Sequence, residues 1–216
     1  MDEDLAIISS ETRKEKIKSF LINNKKLIII TISLIIILVL GFYSSQIYKD
    51  GQREKLSNKY NSAVIKFKKD NSSNVVDSMK EIIKDMDSTY SPLALYFLID
   101  NKLINNNNEI NSLFDILIKK TSLEKEIKNL IIYKKALFYA AEIDDNENGL
   151  LDILNPLINS ESVWKSHALY LMGEYYFSKN QKQKAKEFYE KIIASENTNP
   201  DINKEVQKRL NRDFSE

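Results

Sequence analysis

A single charge-free stretch constrains this chain more than any other feature. Residues 27–43 read LIIITISLIIILVLGFY, and the charge-free run continues to Tyr48, between Lys26 and Lys49. Built as a helix, a run of this length rises about 26 to 33 Å, which brackets a hydrocarbon core of roughly 30 Å. Only a helix satisfies its own backbone hydrogen bonds in lipid. The stretch therefore predicts a transmembrane helix over residues 27–48.

A cleaved signal peptide and a core helix are the two other interpretations of this stretch. A cleaved signal peptide has an apolar region of about 7–15 residues and a cleavage site with small residues. Here the run is longer, and no A-x-A-like site follows it. A core helix of a soluble domain usually has a polar face, whereas Ile, Leu and Val occur all round this one. A retained membrane anchor is the preferred interpretation.

The composition argues against several classes of function. The chain has 216 residues, no cysteine and one histidine, His167. Disulfides, thiol catalysis and cysteine metal sites are therefore excluded, and a histidine-based metal site is not expected. The 32 basic and 31 acidic side chains nearly cancel, whereas nucleic-acid binding needs a basic excess on one face. No phosphate-binding loop and no hydrolase or metalloprotease motif is present. We expect no enzyme, no cofactor, no metal and no nucleic-acid partner.

Behind the anchor, residues 49–216 predict an all-helical domain. Glycine and proline are rare, with four and three copies in the chain, and apolar residues recur at spacings of three and four through successive segments. Polar turns are expected at residues 71–73 and 144–149. Three signals predict helix starts: Ser91-Pro92, the capping-box pattern from Thr121 to Glu124, and Asn199-Pro200. The longest soluble helix is expected to follow Thr121, with an apolar face that includes Ile127, Leu130, Ile131, Leu137 and Phe138.

The last helices fit the register of a tetratricopeptide repeat. With Gly173 at the eighth position of the repeat, an alanine and two tyrosines fall where that repeat places a small residue and aromatic rings. A second copy of the first half of this pattern lies 37 residues earlier, at Ala136. The residues predicted to pack the repeats are Ala136, Tyr139, Gly173, Tyr176, Ala185 and Tyr189. The pattern predicts an α-solenoid of antiparallel helix pairs, with a generic helical bundle as the alternative.

The same register predicts a binding groove. In a solenoid, the first helix of each pair lines the concave side. The candidate groove residues are Tyr96, Asp100, Tyr133, Tyr170 and Glu174. Tyrosine rings beside carboxylates suit an extended polypeptide, because the rings supply contact area and retain a hydrogen-bonding tip. The alternative is that these tyrosines fill the seams between repeats.

Three segments of the chain resemble a known family. They are the tail EKIKSFLINNKK before the anchor, the segment YSPLALYFLIDNKL, and the repeat LYLMGEYYFSKNQKQKAKEFYEKII. Over essentially its whole length the chain resembles the ancillary SecYEG translocon subunit, a family of single-pass inner-membrane proteins with a periplasmic tetratricopeptide-like domain. The resemblance implies association with the translocon and with periplasmic chaperones, in the handling of newly exported chains. The composition, rich in Lys, Asn and Ile, departs from the family and bears on the partner more than on the fold.

The distribution of basic residues predicts the topology. Six Lys or Arg side chains precede the anchor, and four follow it closely, from Lys49 to Lys59. This bias favours a cytosolic N-terminus. We therefore expect a cytosolic tail over residues 1–26, a lipid-embedded helix over residues 27–48, and a periplasmic domain over residues 49–216, in a bacterial inner membrane.

The predicted function is a membrane-anchored scaffold for protein–protein interactions, most closely an ancillary subunit of the Sec translocon that links it to periplasmic chaperones or exported chains. Two alternatives use the same domain: an adaptor for envelope assembly or cell division, and a stress-regulatory protein controlled through its cytosolic tail. Self-association also stays open, because Ile202, Val206 and Leu210 form a thin apolar stripe on the last helix.

Overall fold

The structure, a computed structural model, describes residues 18, 20–70, 74–142 and 147–214. Within these ranges every regular element is helical and no strand occurs, which confirms the all-α prediction. The helices are α1 Lys25–Asp70, α2 Asn74–Lys84, α3 Tyr90–Asp100, α4 Asn107–Lys120, α5 Lys125–Glu142, α6 Glu147–Ile158, α7 Lys165–Ser178, α8 Lys182–Ile193 and α9 Pro200–Asp213. The turn expected at 71–73, the first part of the turn at 144–149 and most of the tail at 1–26 lie outside the described residues.

The chain divides into two units, residues 1–55 and residues 56–216. The first contains the apolar part of α1. Over Lys25–Lys69 this is the one helix of the described chain that is long and apolar enough to cross a membrane, and none of its most apolar window is buried. The core-helix alternative therefore does not apply. By length and composition alone, such a helix fits either a membrane span or a signal sequence.

The second unit is a succession of packed helices. Each helix from α2 to α8 packs on the next one in the chain, and α5 also packs on α7. A short turn joins α7 to α8, as is typical of helical repeats. The pairs α5–α6 and α7–α8 coincide with the two repeats that the sequence pattern predicts.

Two hydrophobic cores follow one another along this succession. The first extends from Ala63 on α1 to Ile131 on α5 and contains the buried ring of Phe114. The second extends from Ile132 on α5 to Val206 on α9. Consecutive residues of α5 therefore belong to different cores, because neighbouring positions of a helix point about 100° apart. α5 contributes buried residues to both cores.

The helix start predicted at Thr121 is wrong. α5 begins at Lys125, and Thr121 instead ends α4, where its N–H donates to the carbonyl of Ile116 at 3.2 Å and its hydroxyl to the same oxygen at 3.4 Å. Thr121 is buried. The physical reason is that four residues are needed to turn the chain from α4 into α5, so a pattern that resembles a capping box falls in the loop.

Of the other two predicted starts, one is corrected and one is confirmed. α3 begins at Tyr90, and the Asp87 carboxylate accepts the N–H groups of Thr89 and Tyr90 at 2.8 and 2.7 Å. Ser91, the expected cap, is buried and donates its hydroxyl to the carbonyl of Ile82 at 2.7 Å, which ties α3 to α2. Asn199 does cap α9: its side-chain oxygen accepts two N–H groups of the first turn at 3.0 and 3.2 Å.

Candidate functional site

One close approach within a repeat lies between α7 and α8. Gly173 on α7 is buried, and a Cβ atom there would overlap the ring of Tyr189 on α8. The Tyr189 side chain is fully buried, and its hydroxyl donates to the Glu174 carboxylate at 2.5 Å. Burial first, and then the bond to this carboxylate, raise the pKa of Tyr189. Ala185, also fully buried, is the small residue on the α8 side.

The α5–α6 pair also has a contact between a glycine and a tyrosine ring, but here the tyrosine is on the first helix and the glycine on the second. Ala136 is fully buried on α5, and Tyr139 lies one turn further along the same helix. The Tyr139 ring lies over Gly149 on α6, where a Cβ would overlap the phenol. Sequence analysis did not single out Gly149. The rarity of glycine could have identified it, since Gly149 is one of only four glycines in the 216 residues of the chain.

Tyr176 connects three helices through its hydroxyl and its ring. The hydroxyl donates to the Glu147 carboxylate of α6 at 2.8 Å, and Lys184 of α8 lies 3.0 Å from the same carboxylate and 5.0 Å from the centre of the Tyr176 ring. The side chain is buried. Burial, together with the bond to Glu147, raises the pKa of Tyr176 to about 12.

The candidate groove residues on α7 are already engaged within the chain. The Glu174 carboxylate accepts both the Tyr189 hydroxyl and the Arg209 guanidinium of α9, each at 2.5 Å. Tyr170 lies with its ring 6.1 Å from that of Tyr189. Burial and the charge of Glu174 raise the pKa of Tyr170. Arg209 also lies 5.0 Å from the ring centre of Phe177, so α9 is fixed to α7 by an ion pair and a cation–π contact.

Tyr133 on α5 lies in the seam between α5 and the start of α7. Its ring stacks on Trp164, with 5.6 Å between the centroids and 26° between the planes, and meets His167 edge-on at 5.6 Å. Burial lowers the pKa of His167, and burial together with the nearby Tyr170 raises that of Tyr133. This placement fits the alternative in which the tyrosines fill seams between repeats.

Tyr96 and Asp100 lie one turn apart on α3 in different environments. The Tyr96 hydroxyl is buried and has no hydrogen-bond partner among the described residues. Asp100, at the end of the helix, is exposed. Burial, and then the charge of Asp100, raise the pKa of Tyr96 to about 12. Of the five candidate groove residues, Asp100 is the one that is exposed to solvent.

A partly buried ion pair joins α4 to α5. The Lys135 ammonium lies 2.7 Å from the Asp115 carboxylate, and Lys119 approaches the same carboxylate at 3.1 Å. Burial opposes the charged form of Asp115, but the hydrogen bonds from Lys135 and Lys119 outweigh it and lower its pKa. Asp115 compensates the charge of the buried Lys135, so this pair stabilises the contact between α4 and α5. The described residues contain no group of three or more His, Asp or Glu side chains able to hold a metal ion.

The exposed side of α5 is the surface that sequence analysis missed. Sequence periodicity placed Ile127, Leu130 and Leu137 on the core face together with Ile131. In the structure Ile131 is buried, whereas Ile127 is 42% and Leu137 36% exposed. Between Ile127 and Leu137, almost every residue of α5 is apolar or has a long side chain. The spacing of apolar residues therefore does not identify which face of α5 is buried.

Comparison with known proteins identifies the family. The profile of the tetratricopeptide repeat-like domain matches residues 18–212. The chain has no significant match among curated proteins or among solved structures. Domains of the matched kind are typically non-catalytic and mediate protein–protein interactions, and the match contains no link to the SecYEG translocon. The paired helices and the packing of Gly173 against Tyr189 agree with it. The chain belongs to the tetratricopeptide repeat-like domain family.

Proposed function

We propose that this protein is a membrane-anchored scaffold and an ancillary subunit of the Sec translocon, which links the translocon to periplasmic chaperones or to exported chains. The observation that carries the proposal is that one chain combines an unburied apolar helix with a repeat-like domain of an interaction family. The resemblance of three segments to the ancillary translocon subunit supplies the identity of the partners. The scaffold works without catalysis.

The proposed topology gives the scaffold its advantage. Residues 1–26 are cytosolic, residues 27–48 span the inner membrane, and residues 49–216 lie in the periplasm. Apolar side chains along the span are exposed, as lipid contact requires. An anchored domain moves within a thin layer next to the membrane, which raises its effective concentration near membrane-bound partners.

The proposed partner surface is the side of the domain formed by α3, α5 and α7. Asp100 is exposed there, and Tyr133 and Tyr170 are partly buried. The Glu174 carboxylate is held by Arg209 and Tyr189, so it contributes to the groove only when α9 moves. We therefore expect α3 and α5 to provide the first contacts with a partner.

Photo-crosslinking in living cells tests this function. A photoreactive residue replaces Asp100 in the full-length chain, and the adducts are identified by mass spectrometry. Translocon subunits, periplasmic chaperones or exported chains are the expected adducts. Adducts from a division or envelope-assembly complex would leave a scaffold but disprove the translocon assignment, and self-adducts would indicate an oligomer. Lys182, exposed on α8, is the matched control position and should give few of the same adducts.

Two fractionation experiments test the topology. Carbonate washing should leave the protein in the membrane fraction, because an embedded helix is not released by high pH. Protease added to intact spheroplasts should digest the domain and spare the tail. A domain that is protected until the membrane is broken would overturn the proposed orientation, and a protein released by carbonate would overturn the anchor.

A further inference from the structure

α5 has an apolar stripe on its exposed side. The stripe consists of Ile127, Leu130, Lys134, Leu137 and Ala141. Their spacings of three and four place them on one side of the helix, over about 21 Å. All are exposed except Leu130, which is half-buried. An ordinary solvent-facing side of a helix is polar, so this side has the composition of a contact surface.

The stripe begins at an apolar depression between α3 and α5. Its apolar wall is formed by Pro92, Leu93, Leu123 and Ile127, and its volume is about 450 Å³. Leu93 on α3 is 41% exposed, close to the value for Ile127. Serine and threonine side chains and Glu124 form its polar rim. The depression therefore offers room for a large apolar side chain at one end of the α5 stripe.

The charge of the stripe distinguishes between occupants. Lys134 stands at its midpoint, seven residues from both Ile127 and Ala141. Its neighbour Lys135 is buried and paired with Asp115, whereas Lys134 is exposed. A symmetric antiparallel contact between two copies of α5 would bring the two Lys134 ammonium groups together, which is unfavourable. An acidic side chain in the same place would be attracted.

The last helix of the chain shows what kind of segment packs on this domain. α9 is amphipathic: Val206 is fully buried in the second core, Leu210 packs against it, and Arg209 pairs with Glu174 of α7. The domain thus holds α9 by an apolar contact and by an ion pair to α7 beside it. The α5 stripe offers the same combination with the sign of the charge reversed.

We infer that the α5 stripe binds an amphipathic helix of a partner protein whose apolar face has an acidic residue opposite Lys134. The inference rests on the proposed scaffold function and adds the surface and the chemistry of the partner. Apolar side chains of the partner cover Ile127, Leu130 and Leu137, and one of them enters the depression next to Leu93.

Fluorescence titration of the full-length protein in nanodiscs tests the inference. The chain has one tryptophan, Trp164, whose ring stacks on that of Tyr133. Tyr133 precedes Lys134 of the stripe in the chain, so the fluorescence of Trp164 serves as the signal for binding at the stripe. The probe is a synthetic amphipathic helix of about 15 residues, the length of the stripe, with a leucine face and a central Glu. A second peptide has Lys in place of that Glu. We expect the Glu peptide to bind more tightly.

Two variants make the test specific. Ile127→Ser combined with Leu137→Ser should weaken binding of the Glu peptide about tenfold or more, because apolar area is lost from the contact. Lys134→Glu should reverse the preference, so that the Lys peptide binds more tightly. Ile193→Ser is the matched control, since Ile193 on α8 is 39% exposed and lies outside the stripe. The Ile193→Ser variant should bind the Glu peptide with the affinity of the wild type. Circular dichroism should show the same helix content in all variants.

Three outcomes would overturn the inference. Unchanged affinity in the Ile127→Ser, Leu137→Ser variant would place the binding elsewhere. An unchanged peptide preference in Lys134→Glu would remove the charge argument. A dimer that the stripe variant abolishes would make a second copy the occupant. The proposed function fails separately: non-secretory adducts at Asp100 with intact peptide binding would disprove the translocon assignment alone.

Discussion

The exposed sides of α5 and α7 occupy the same place in successive repeats and are used differently. A shift of 37 residues aligns Leu137 of α5 with Glu174 of α7. Glu174 holds Arg209, and through it α9, on the end of the helical succession. Leu137 is exposed. The difference teaches that a repeat position can close the stack with an ion pair or leave an apolar surface for a partner, while each pair keeps a close contact between a glycine and a tyrosine ring.

The largest effect on stability should come from removing the Tyr189 ring, which packs against Gly173 in the α7–α8 pair. Tyr189→Ala should lower the free energy of unfolding by about 3–5 kcal/mol, because a fully buried aromatic side chain leaves a cavity against Gly173. Urea unfolding of the full-length protein in detergent, followed by circular dichroism, measures this loss. Tyr139→Ala in the α5–α6 pair should cost less, since Tyr139 is only half-buried. Equal losses would mean that the two contacts are equivalent.

Alkaline pH should weaken the α7–α8 repeat. The folded-state pKa of Tyr176 is raised to about 12, whereas an unfolded tyrosine ionises near 10. Unfolding therefore releases a proton above about pH 10, and stability that is fully present below that pH is lost as pH rises toward 12. The slope approaches roughly 1.4 kcal/mol per pH unit for this side chain. Urea unfolding at pH 9, 10 and 11 measures it, and Tyr176→Phe should show a shallower decline than the wild type.

Breaking the ion pair should release α9 without unfolding the domain. Glu174→Ala leaves the partly buried Arg209 without this carboxylate and the Tyr189 hydroxyl without its acceptor. We expect a loss of about 1–3 kcal/mol in the free energy of unfolding. Faster amide exchange in α9 than in α7 should accompany it. A uniform increase in exchange across both helices would show that the pair stabilises the whole repeat instead.

The smallest effect on stability should come from making α5 resemble α7. Leu137→Glu introduces a carboxylate at a position that is 36% exposed, so the free energy of unfolding should change by less than about 0.5 kcal/mol. Thermal unfolding measures this change. Binding of the Glu peptide should nevertheless decrease. A large loss of stability would show that Leu137 belongs to the core rather than to the α5 stripe.

Sequence pattern predicted the helical class, the apolar helix and the paired helices of a repeat fold because each depends on residues close together in the chain. The predicted start at Thr121 failed because the loop before α5 is set by how α4 and α5 pack. The cap expected at Ser91 failed because its hydroxyl reaches back to Ile82. The engagement of Glu174 could not be predicted, since Arg209 lies 35 residues further along. The buried face of α5 was ambiguous because apolar residues occur on both of its sides.

The position of α5 affects how the two cores open, because its neighbouring residues Ile131 and Ile132 belong to different cores. In a linear array of repeats, each unit is held only by its neighbours, and the ends can open while the middle stays closed. A helix common to both cores ties their opening together. Amide protons of α5 should therefore exchange with solvent at the slow rate of complete unfolding, while those of α2 and α9 exchange through local fraying. A partner that binds α5 would thus act on the cooperativity of the whole array.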